Sequence, residues 1–299
     1  MAEKTAKHVF FVQKFGAMTP EFATLVDIEG DSQWLNTHWN PHFKAPFSGK
    51  LNSADEEQSA YWGIELMRQA AGTFPCAPTF GPGNDELLPH GDTANFDWQL
   101  NQALSLSQQQ CVYAEWQMTK GYQGLSYRKR DMLPETSSAH YMILEISNPT
   151  SQPVDANLAW HTTLGSPFLE RGCLIGSNCH QFATAPKGTE FDHTSALKPG
   201  QQFDSLSCVP SAKGDNKNLS AMPGYNGHSE FISGITEQKG ALWSVCINPF
   251  FNLAYLTLIP FDAIEQQVNP STINYWIHSG GRDFVPWADY QGGLIAITH

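Results

Sequence analysis

Two histidines of this chain stand in short motifs that suit acid–base chemistry on a polar ligand. His90 is followed by Gly91 and Asp92, so a ligand could approach the imidazole beside the glycine while the carboxylate orients the ring or binds a hydroxyl. His161 follows Trp160 where an apolar run ends, and strand ends are where a sheet presents polar groups to a cleft. Both patterns also suit a hydrogen-bonded structural histidine, so this alternative stays open.

Two aromatic or charged side chains are further candidates for ligand binding. Trp98 follows the His90 motif, and its indole could stack on the apolar face of a sugar. Arg282 stands in a Gly-Gly-Arg-Asp turn near the end of the chain, where it could bind a ligand or simply pair with Asp283 at the surface.

The six cysteines predict neither a metal site nor a cofactor. None of them forms a CxxC pair, and the one local cluster is Cys173, Cys179 and His180. A zinc site would need tighter spacing and a fourth ligand. We therefore expect reduced, buried thiols in strands and no bound metal.

The composition favours a neutral polar ligand and argues against two classes of partner. Charged residues make up 15% of the 299 and aromatic residues 12%, which suits a protein that contacts neutral polar ligands. The formal net charge of −12 argues against nucleic acid and anionic membranes, since both require a basic surface. No apolar run could span a bilayer and the first residues do not form a secretory signal, so we expect a cytoplasmic monomer or homodimer.

The elements that must position these residues are strands. The 24 glycines and 19 prolines are spread evenly, and short alternating or β-branched runs lie between them. The clearest runs are residues 23–28, 105–118, 127–131, 141–146, 241–247 and 292–297. Only residues 61–71 suggest a short helix or turn. Many short strands at regular spacing predict an all-β sandwich or barrel, and no linker or repeat divides the chain.

Taken in order, these segments resemble the galactose mutarotase (aldose 1-epimerase) superfamily, in bacterial branches outside the standard mutarotase. An HGxxxNxxW pattern at 90–98 resembles the first histidine loop of the family, and Trp160-His161 resembles its second histidine. The other matches are residues 15–30, the paired runs 127–130 and 145–148, and the closing segment 274–296. The resemblance covers most of the chain.

This resemblance implies a large antiparallel β super-sandwich with an open carbohydrate-binding cleft, formed by one domain over residues 1–299. It implies that His161 acts as general acid on the sugar ring oxygen and that His90 polarises or positions the same region. A glutamate of the family takes the proton of the anomeric hydroxyl, since ring opening needs a base and an acid. The candidate substrate-binding residues are then Asp92, Trp98, Trp160 and Arg282.

The chain departs from the family at the catalytic base. The glutamate of the family falls just after Gly293-Leu294, where this chain has Ile295, and isoleucine cannot accept a proton. Asp289 is the first substitute, because an even separation in an extended strand puts both side chains on one face. An ordinary pKa near 6.5 at His161 would make the rate vary between about pH 5 and 8.

Three functions stay open on this scaffold. The first is an epimerase that interconverts sugar anomers, supported by the two histidines and opposed by the missing glutamate. The second is a sugar lyase that removes a proton beside a carbonyl or uronate, for which the arginines would be needed. The third is a non-catalytic sugar-binding or regulatory protein that kept the pocket and lost the base.

Overall fold

The chain folds as two compact units, Met1–His161 and Thr162–His299. The computed structural model describes residues 8–11, 18–40, 66, 70–104, 111–135, 137–236, 240–261, 272–282, 287, 290 and 292–299. Within these ranges no helix is long and apolar enough to cross a membrane. The expectation of one domain over residues 1–299 stays a prediction.

The first unit consists mainly of two antiparallel sheets. Its strands are β1 (His8–Phe11), β2 (Glu21–Ile28), β3 (Asp31–Asn36), β4 (Thr73–Cys76), β5 (Gln99–Leu104), β6 (Cys111–Met118), β7 (Ser126–Pro134) and β8 (Tyr141–Ser147), and β9 (Ala159–Gly165) contains the unit boundary. One sheet has the order β1-β2-β3 and the other β5-β6-β7-β8. A one-turn helix α1 (Asp92–Asn95) and a 3-10 turn (Tyr122–Gly124) interrupt the strands.

Alternation along β6 and β7 builds a core under the four-stranded sheet. Trp116 and Met118 of β6 and Tyr127 of β7 are buried together with Trp98 and Leu125. Because successive side chains of a strand point to opposite faces, the intervening residues lie nearer to solvent. A second cluster forms around β4, whose four residues are all buried. This cluster is the one that positions the His90 loop.

The second unit is built from antiparallel strands as well. Its strands are β10 (Leu174–Ser177), β11 (Cys179–Thr184), β12 (Gln202–Phe203), β13 (Val209–Pro210), β14 (Asn216–Lys217), β15 (His228–Thr236), β16 (Ala241–Asn248), β17 (Leu253–Pro260), β18 (Thr272–Ser279) and β19 (Leu294–Thr298). Strands β12, β11, β15, β18 and β19 lie side by side in that order, and β10-β16-β17 form another sheet. The centre of the larger sheet is apolar, since Ile232, Ile273 and Ile277 are at most 1% exposed.

The predicted all-β class is confirmed, and so are most of the predicted strands. The runs 23–28, 127–131, 141–146 and 241–247 lie inside β2, β7, β8 and β16. Of the run 105–118, residues 111–118 form β6 and residues 105–110 lie outside the described ranges. The helix suggested for 61–71 also falls largely outside them.

Candidate active site

The loop between β4 and α1 holds His90 in a backbone conformation that few residues other than glycine adopt. His90 has a φ of 62° and Gly91 a φ of 74°, both in the left-handed region. A Cβ atom at Gly91 would lie 2.4 Å from the backbone oxygen of Ala77, so only glycine fits. The His90 amide donates to the Gly81 carbonyl at 3.0 Å, and the Gly91 amide donates to the Leu88 carbonyl at 2.9 Å. The loop therefore fixes where the imidazole projects.

Two buried side chains of the same motif brace this loop. Asn95 donates through Nδ2 to the carbonyls of Pro89 at 2.8 Å and of Gly91 at 2.7 Å. The Thr93 hydroxyl donates to the Pro75 carbonyl at 2.7 Å, which ties α1 to β4. The asparagine of the HGxxxNxxW pattern thus holds the backbone on both sides of His90.

Asp92 and Trp98, which the sequence predicts to bind substrate, lie in the interior of the first unit. Asp92 accepts the Tyr122 backbone amide at 2.5 Å and the Tyr127 hydroxyl at 3.4 Å through Oδ2. Burial raises the pKa of Asp92, although these two hydrogen bonds act in the opposite direction. Trp98 is 2% exposed, and its indole N–H donates to the Thr93 carbonyl at 3.0 Å. Contact with a substrate would require this packing to open, so both binding roles stay predictions.

His161, near the start of β9, lies against His90. The two ring centroids are 5.2 Å apart, and the ring planes meet at 71° in an edge-to-face arrangement. Phe74 of β4 stacks on His161 at 4.6 Å with an interplanar angle of 17°, and Phe80 lies 5.2 Å from His90. The two histidines, which the resemblance assigns to the same region of a cleft, are adjacent in the structure, and the cleft and their catalytic roles stay predictions.

Both imidazoles are uncharged at neutral pH. Burial lowers the pKa of His90 to about 4. Burial also holds the pKa of His161 well below its ordinary value and the neighbouring His90 lowers it further, while a hydrogen bond with its own backbone acts the other way. The ordinary pKa expected for His161 is therefore wrong. Two neutral rings present an N–H donor and a lone-pair acceptor at the same time.

Cys76, the last residue of β4, also touches this pair and was not predicted. Its Sγ atom lies 3.7 Å from Nδ1 of His90. The side chain is fully buried, and burial raises the pKa of the thiol, which keeps its proton at neutral pH. Phe74 and Cys76 are two positions apart in a strand and so share a face, a spacing that could have indicated both. The closure of the His90 loop over that face could not be predicted from the sequence.

The remaining predicted residues do not join the histidine pair through any described contact. Trp160 is half-buried in β9 and, by strand alternation, lies on the face opposite to His161. In the second unit Arg282 is nearly buried: it donates to Oε2 of Glu190 at 2.9 Å and lies 4.8 Å from the centre of the Trp276 ring. These contacts account for the Arg282 side chain structurally, and a binding role for it stays a prediction.

Ile295 stands at the position that the resemblance assigns to the glutamate of the family. Ile295 is fully buried in β19, a strand whose five residues are all buried. Asp289, the predicted substitute, lies outside the described residues.

The cysteine cluster considered for zinc has another arrangement. The thiol of Cys173 donates to the Phe168 carbonyl at 3.6 Å and accepts the Glu170 amide at 3.3 Å. Among the residues that the structure describes, no three His, Cys, Asp or Glu side chains are grouped so as to hold a metal ion.

Comparison with solved structures identifies the fold. A candidate aldose 1-epimerase from Klebsiella pneumoniae matches 99% of this chain with a TM-score of 0.63 and 11% identity, and the match covers 68% of that protein. This chain has a mutarotase-like fold. A galactose mutarotase-like protein from Lactobacillus casei (TM-score 0.48) and a candidate aldose 1-epimerase from Escherichia coli (TM-score 0.45) each match 98% of it at 11% identity, over 84% and 96% of their own lengths.

Sequence comparison finds no relative of this chain. No family profile and no curated protein matches the chain. Since mutarotase-like folds, like other folds, can carry different activities, function has to be argued from the side chains of the site.

Proposed function

We propose that this protein is a carbohydrate-active isomerase of the aldose 1-epimerase type, which interconverts the anomers of a small free sugar with His90 and His161 as its acid–base pair. The observation that supports this proposal is the contact between the two imidazoles, whose centroids are 5.2 Å apart. The loop and strand that carry them come from distant parts of the first unit, and buried hydrogen bonds hold that loop in place.

The reaction requires one proton acceptor and one proton donor at a single carbon. The acceptor takes the proton of the anomeric hydroxyl and becomes imidazolium, and the bond between the anomeric carbon and the ring oxygen breaks. The donor gives its N–H proton to that oxygen and is left as an imidazolate beside the imidazolium, and the product is the open-chain aldehyde. Closure on the other face of the carbonyl reverses these steps and returns both protons. Because both oxygens are bonded to the same carbon, adjacent imidazoles are suitably spaced to serve them.

The charge state of the two imidazoles is compatible with one proton acceptor and one proton donor. Burial lowers the pKa of His90 to about 4 and holds the pKa of His161 well below its ordinary value, so neither ring is cationic at pH 7. A neutral imidazole can accept a proton at one nitrogen, and it can also act as an electrophile that donates a hydrogen bond to a substrate oxygen. The rings of Phe74 and Phe80 beside the pair offer apolar surface for the face of a sugar.

One observation favours a second candidate, a sugar-binding protein without catalysis. Ile295, which stands at the position that the resemblance assigns to the glutamate of the family, is fully buried. If the carboxylate is indispensable, the histidines would bind a sugar through hydrogen bonds without opening its ring.

Mutarotation assays separate these candidates. Freshly dissolved α-anomers of several hexoses, uronates and keto-sugars are followed by polarimetry and ¹H NMR with and without the protein. We expect faster equilibration of the anomers with the wild type, and a loss of roughly 10²–10⁴-fold in that catalysis for His161→Ala and His90→Ala. His180→Ala, at an exposed position of the second unit, is the control and should keep wild-type turnover.

The other outcomes identify the alternative functions. A change in the NMR signals of a sugar that saturates as the sugar concentration rises would show binding. Such binding without any faster equilibration of the anomers would establish the non-catalytic protein and refute the isomerase. Formation of an unsaturated product from a uronate would establish a lyase. Wild-type turnover in both histidine variants would refute the assigned pair.

A further inference from the structure

The imidazole of His90 is packed against aromatic rings and against a buried thiol. The rings of Phe80 and His161 both lie 5.2 Å from it, and Phe74 lies edge-on at 6.2 Å. Sγ of Cys76 is 3.7 Å from Nδ1. His90 is half-buried, and these neighbours contact its ring on several sides. Because the His90 backbone is also held in a left-handed conformation, the other nitrogen has little freedom to turn towards the thiol.

A contact between a thiol and a neutral imidazole allows two arrangements of hydrogen atoms. Either the S–H of Cys76 donates to Nδ1 and the ring proton is on Nε2, or an N–H at Nδ1 donates to sulfur, which is a weak acceptor. Cys76 is completely buried and burial raises the pKa of its thiol, so the sulfur keeps its proton. The ring nitrogen is the better acceptor of the two atoms, and a buried polar hydrogen needs an acceptor.

We infer that Cys76 is a positioning residue that fixes the tautomer of His90: its thiol donates to Nδ1, and the ring therefore carries its proton on Nε2. In this tautomer Nε2, the nitrogen directed away from the thiol, can only donate a hydrogen bond. The catalytic meaning rests on the proposed function: His90 donates to the sugar ring oxygen, and His161 takes the hydroxyl proton. These roles are the reverse of those that the resemblance implies for the two histidines.

Nitrogen NMR of the full chain labelled with ¹⁵N-histidine reads the tautomer directly, because protonated and unprotonated ring nitrogens have well-separated chemical shifts. We expect His90 of the wild type to be protonated on Nε2, with His90→Gln used to assign its signals. Cys76→Ser keeps a donor and should keep this tautomer. Cys76→Val removes the donor at similar volume and should move the tautomer ratio roughly fivefold towards Nδ1–H, the factor expected for one neutral hydrogen bond.

Cys111→Ala is the matched control, since Cys111 is a half-buried cysteine of the same unit whose thiol bonds the Val112 carbonyl. It should leave the His90 signals unchanged. Cys76→Ala replaces Cys76→Val if the valine variant does not fold.

Protonation of wild-type His90 on Nδ1 would overturn the inference, and so would an unchanged tautomer ratio in the variant that lacks the donor. The readout needs no substrate and is thus independent of the proposed function. A fixed Nε2–H tautomer without mutarotation refutes the isomerase alone, whereas mutarotation with an unfixed tautomer refutes the positioning role alone. In an active protein, Cys76→Ser should also restore the kcat that Cys76→Val lowers.

Discussion

At the scale of single residues, the contact between His90 and His161 determines how catalysis should depend on pH. Burial lowers the pKa of His90 to about 4, and that of His161 is also well below its ordinary value. The neutral form of each ring is therefore complete above about pH 6 and is lost as the pH falls towards the lowered pKa. We expect kcat/KM to be nearly constant from about pH 6 to 8 and to fall below about pH 5.

A pH–rate profile of mutarotation, corrected for the uncatalysed reaction at each pH, checks this expectation. An inflection near the ordinary histidine pKa of about 6.5 would contradict it. The sequence alone predicted that inflection. It does not show the packing around the two half-buried histidines, which depends on side chains from β4 and on the closure of the His90 loop.

Gly91 is the residue at which the loop tolerates least change. A Cβ atom there would lie 2.4 Å from the Ala77 carbonyl oxygen, and the backbone has a φ of 74°. Gly91→Ala should lower the free energy of unfolding by at least about 2 kcal/mol, because left-handed strain adds to the steric clash. It should also abolish catalysis, since His90 is the preceding residue.

Gly30→Ala is the control for this exchange. Gly30 also has a positive φ, 89°, but nothing lies within 4 Å of its Cβ position, so only the backbone strain of roughly 1 kcal/mol remains. Urea unfolding of both variants measures the difference. Equal losses of stability would mean that the loop yields to the added methyl group.

The HGxxxNxxW motif illustrates what a sequence can and cannot assign at this scale. The rings of His90 and His161 are adjacent, as one shared site would require. Asp92 and Trp98 of the same motif are hydrogen-bonded within the interior, and their binding roles stay predictions. Histidine, aspartate and tryptophan all serve both chemistry and folding. Their burial, which separates the two uses, depends on packing against strands that are remote in sequence.

At the scale of elements, β19 tests whether the missing carboxylate can be restored. All five of its residues are buried, and Ile295 pairs with Ile277 of β18. Ile295→Glu would place a carboxyl group among apolar side chains, where it costs several kcal/mol or stays protonated. We therefore expect low soluble yield or a strongly reduced urea midpoint, and no new mutarotation.

Ile295→Val is the control and should cost only about 0.5–1.5 kcal/mol, because it removes one methylene group. A folded Ile295→Glu protein with increased mutarotation would contradict this expectation and would indicate that the position faces the sugar. The sequence left both possibilities open, since four apolar residues in a row at 294–297 do not by themselves show which side chain faces a cleft.

Strand β7 was predicted correctly, yet its buried face is unusual. Lys129 and Asp131 are two positions apart and therefore share the inward face, and both side chains are completely buried. Lys129 Nζ lies 3.0 Å from Asp131 Oδ2, and His140 Nε2 lies 2.9 Å from Asp131 Oδ1. A run of charged residues normally indicates an exposed face, so this buried ion pair could not be predicted from the sequence.

Removing one partner of this pair should lower the free energy of unfolding much more than removing both. Lys129→Met leaves the Asp131 carboxylate buried beside an apolar group, and we expect a loss of about 3–5 kcal/mol in the free energy of unfolding. The double variant Lys129→Met/Asp131→Leu should lose less than the sum of the single variants. A double-mutant cycle by urea unfolding measures this coupling, and strictly additive losses would show that the pair does not interact energetically.

At the scale of the whole molecule, the all-β class was predictable because turn residues and short alternating runs recur along the entire chain. The division into two compact units was not, since the boundary after His161 falls inside β9 and no linker composition marks it. Burial of histidine was likewise hidden from the sequence. In the described part of the chain five histidines have a pKa lowered chiefly by burial: His38 and His299 to about 3, His90 and His278 to about 4, and His161.

These histidines should make the stability of the protein fall on mild acidification. Between about pH 4 and 6.5 the unfolded chain binds protons at these side chains while the folded chain does not, so stability rises with pH in this window. Each such proton contributes a slope of about 1.4 kcal/mol per pH unit. Of the shifted carboxyl groups, Asp131 and Asp215 have a lowered pKa and act in the same direction, whereas Asp92 has a raised pKa and acts against it.

Urea unfolding from pH 7 to pH 5 measures the effect, and we expect the free energy of unfolding to decrease with a slope that corresponds to the uptake of several protons.

His38→Gln tests the contribution of one buried histidine to this slope. Its ring is fully buried between the Thr19 carbonyl at 2.8 Å and the Thr73 hydroxyl at 3.1 Å, so the exchange lowers stability at every pH. The slope, however, should decrease by about one proton, because the unfolded variant has one imidazole fewer to protonate. His180→Gln, at an exposed position, controls for the loss of an imidazole as such. A wild-type stability that is constant from pH 7 to pH 5 would mean that the buried histidines bind their protons in the folded chain as readily as in the unfolded one.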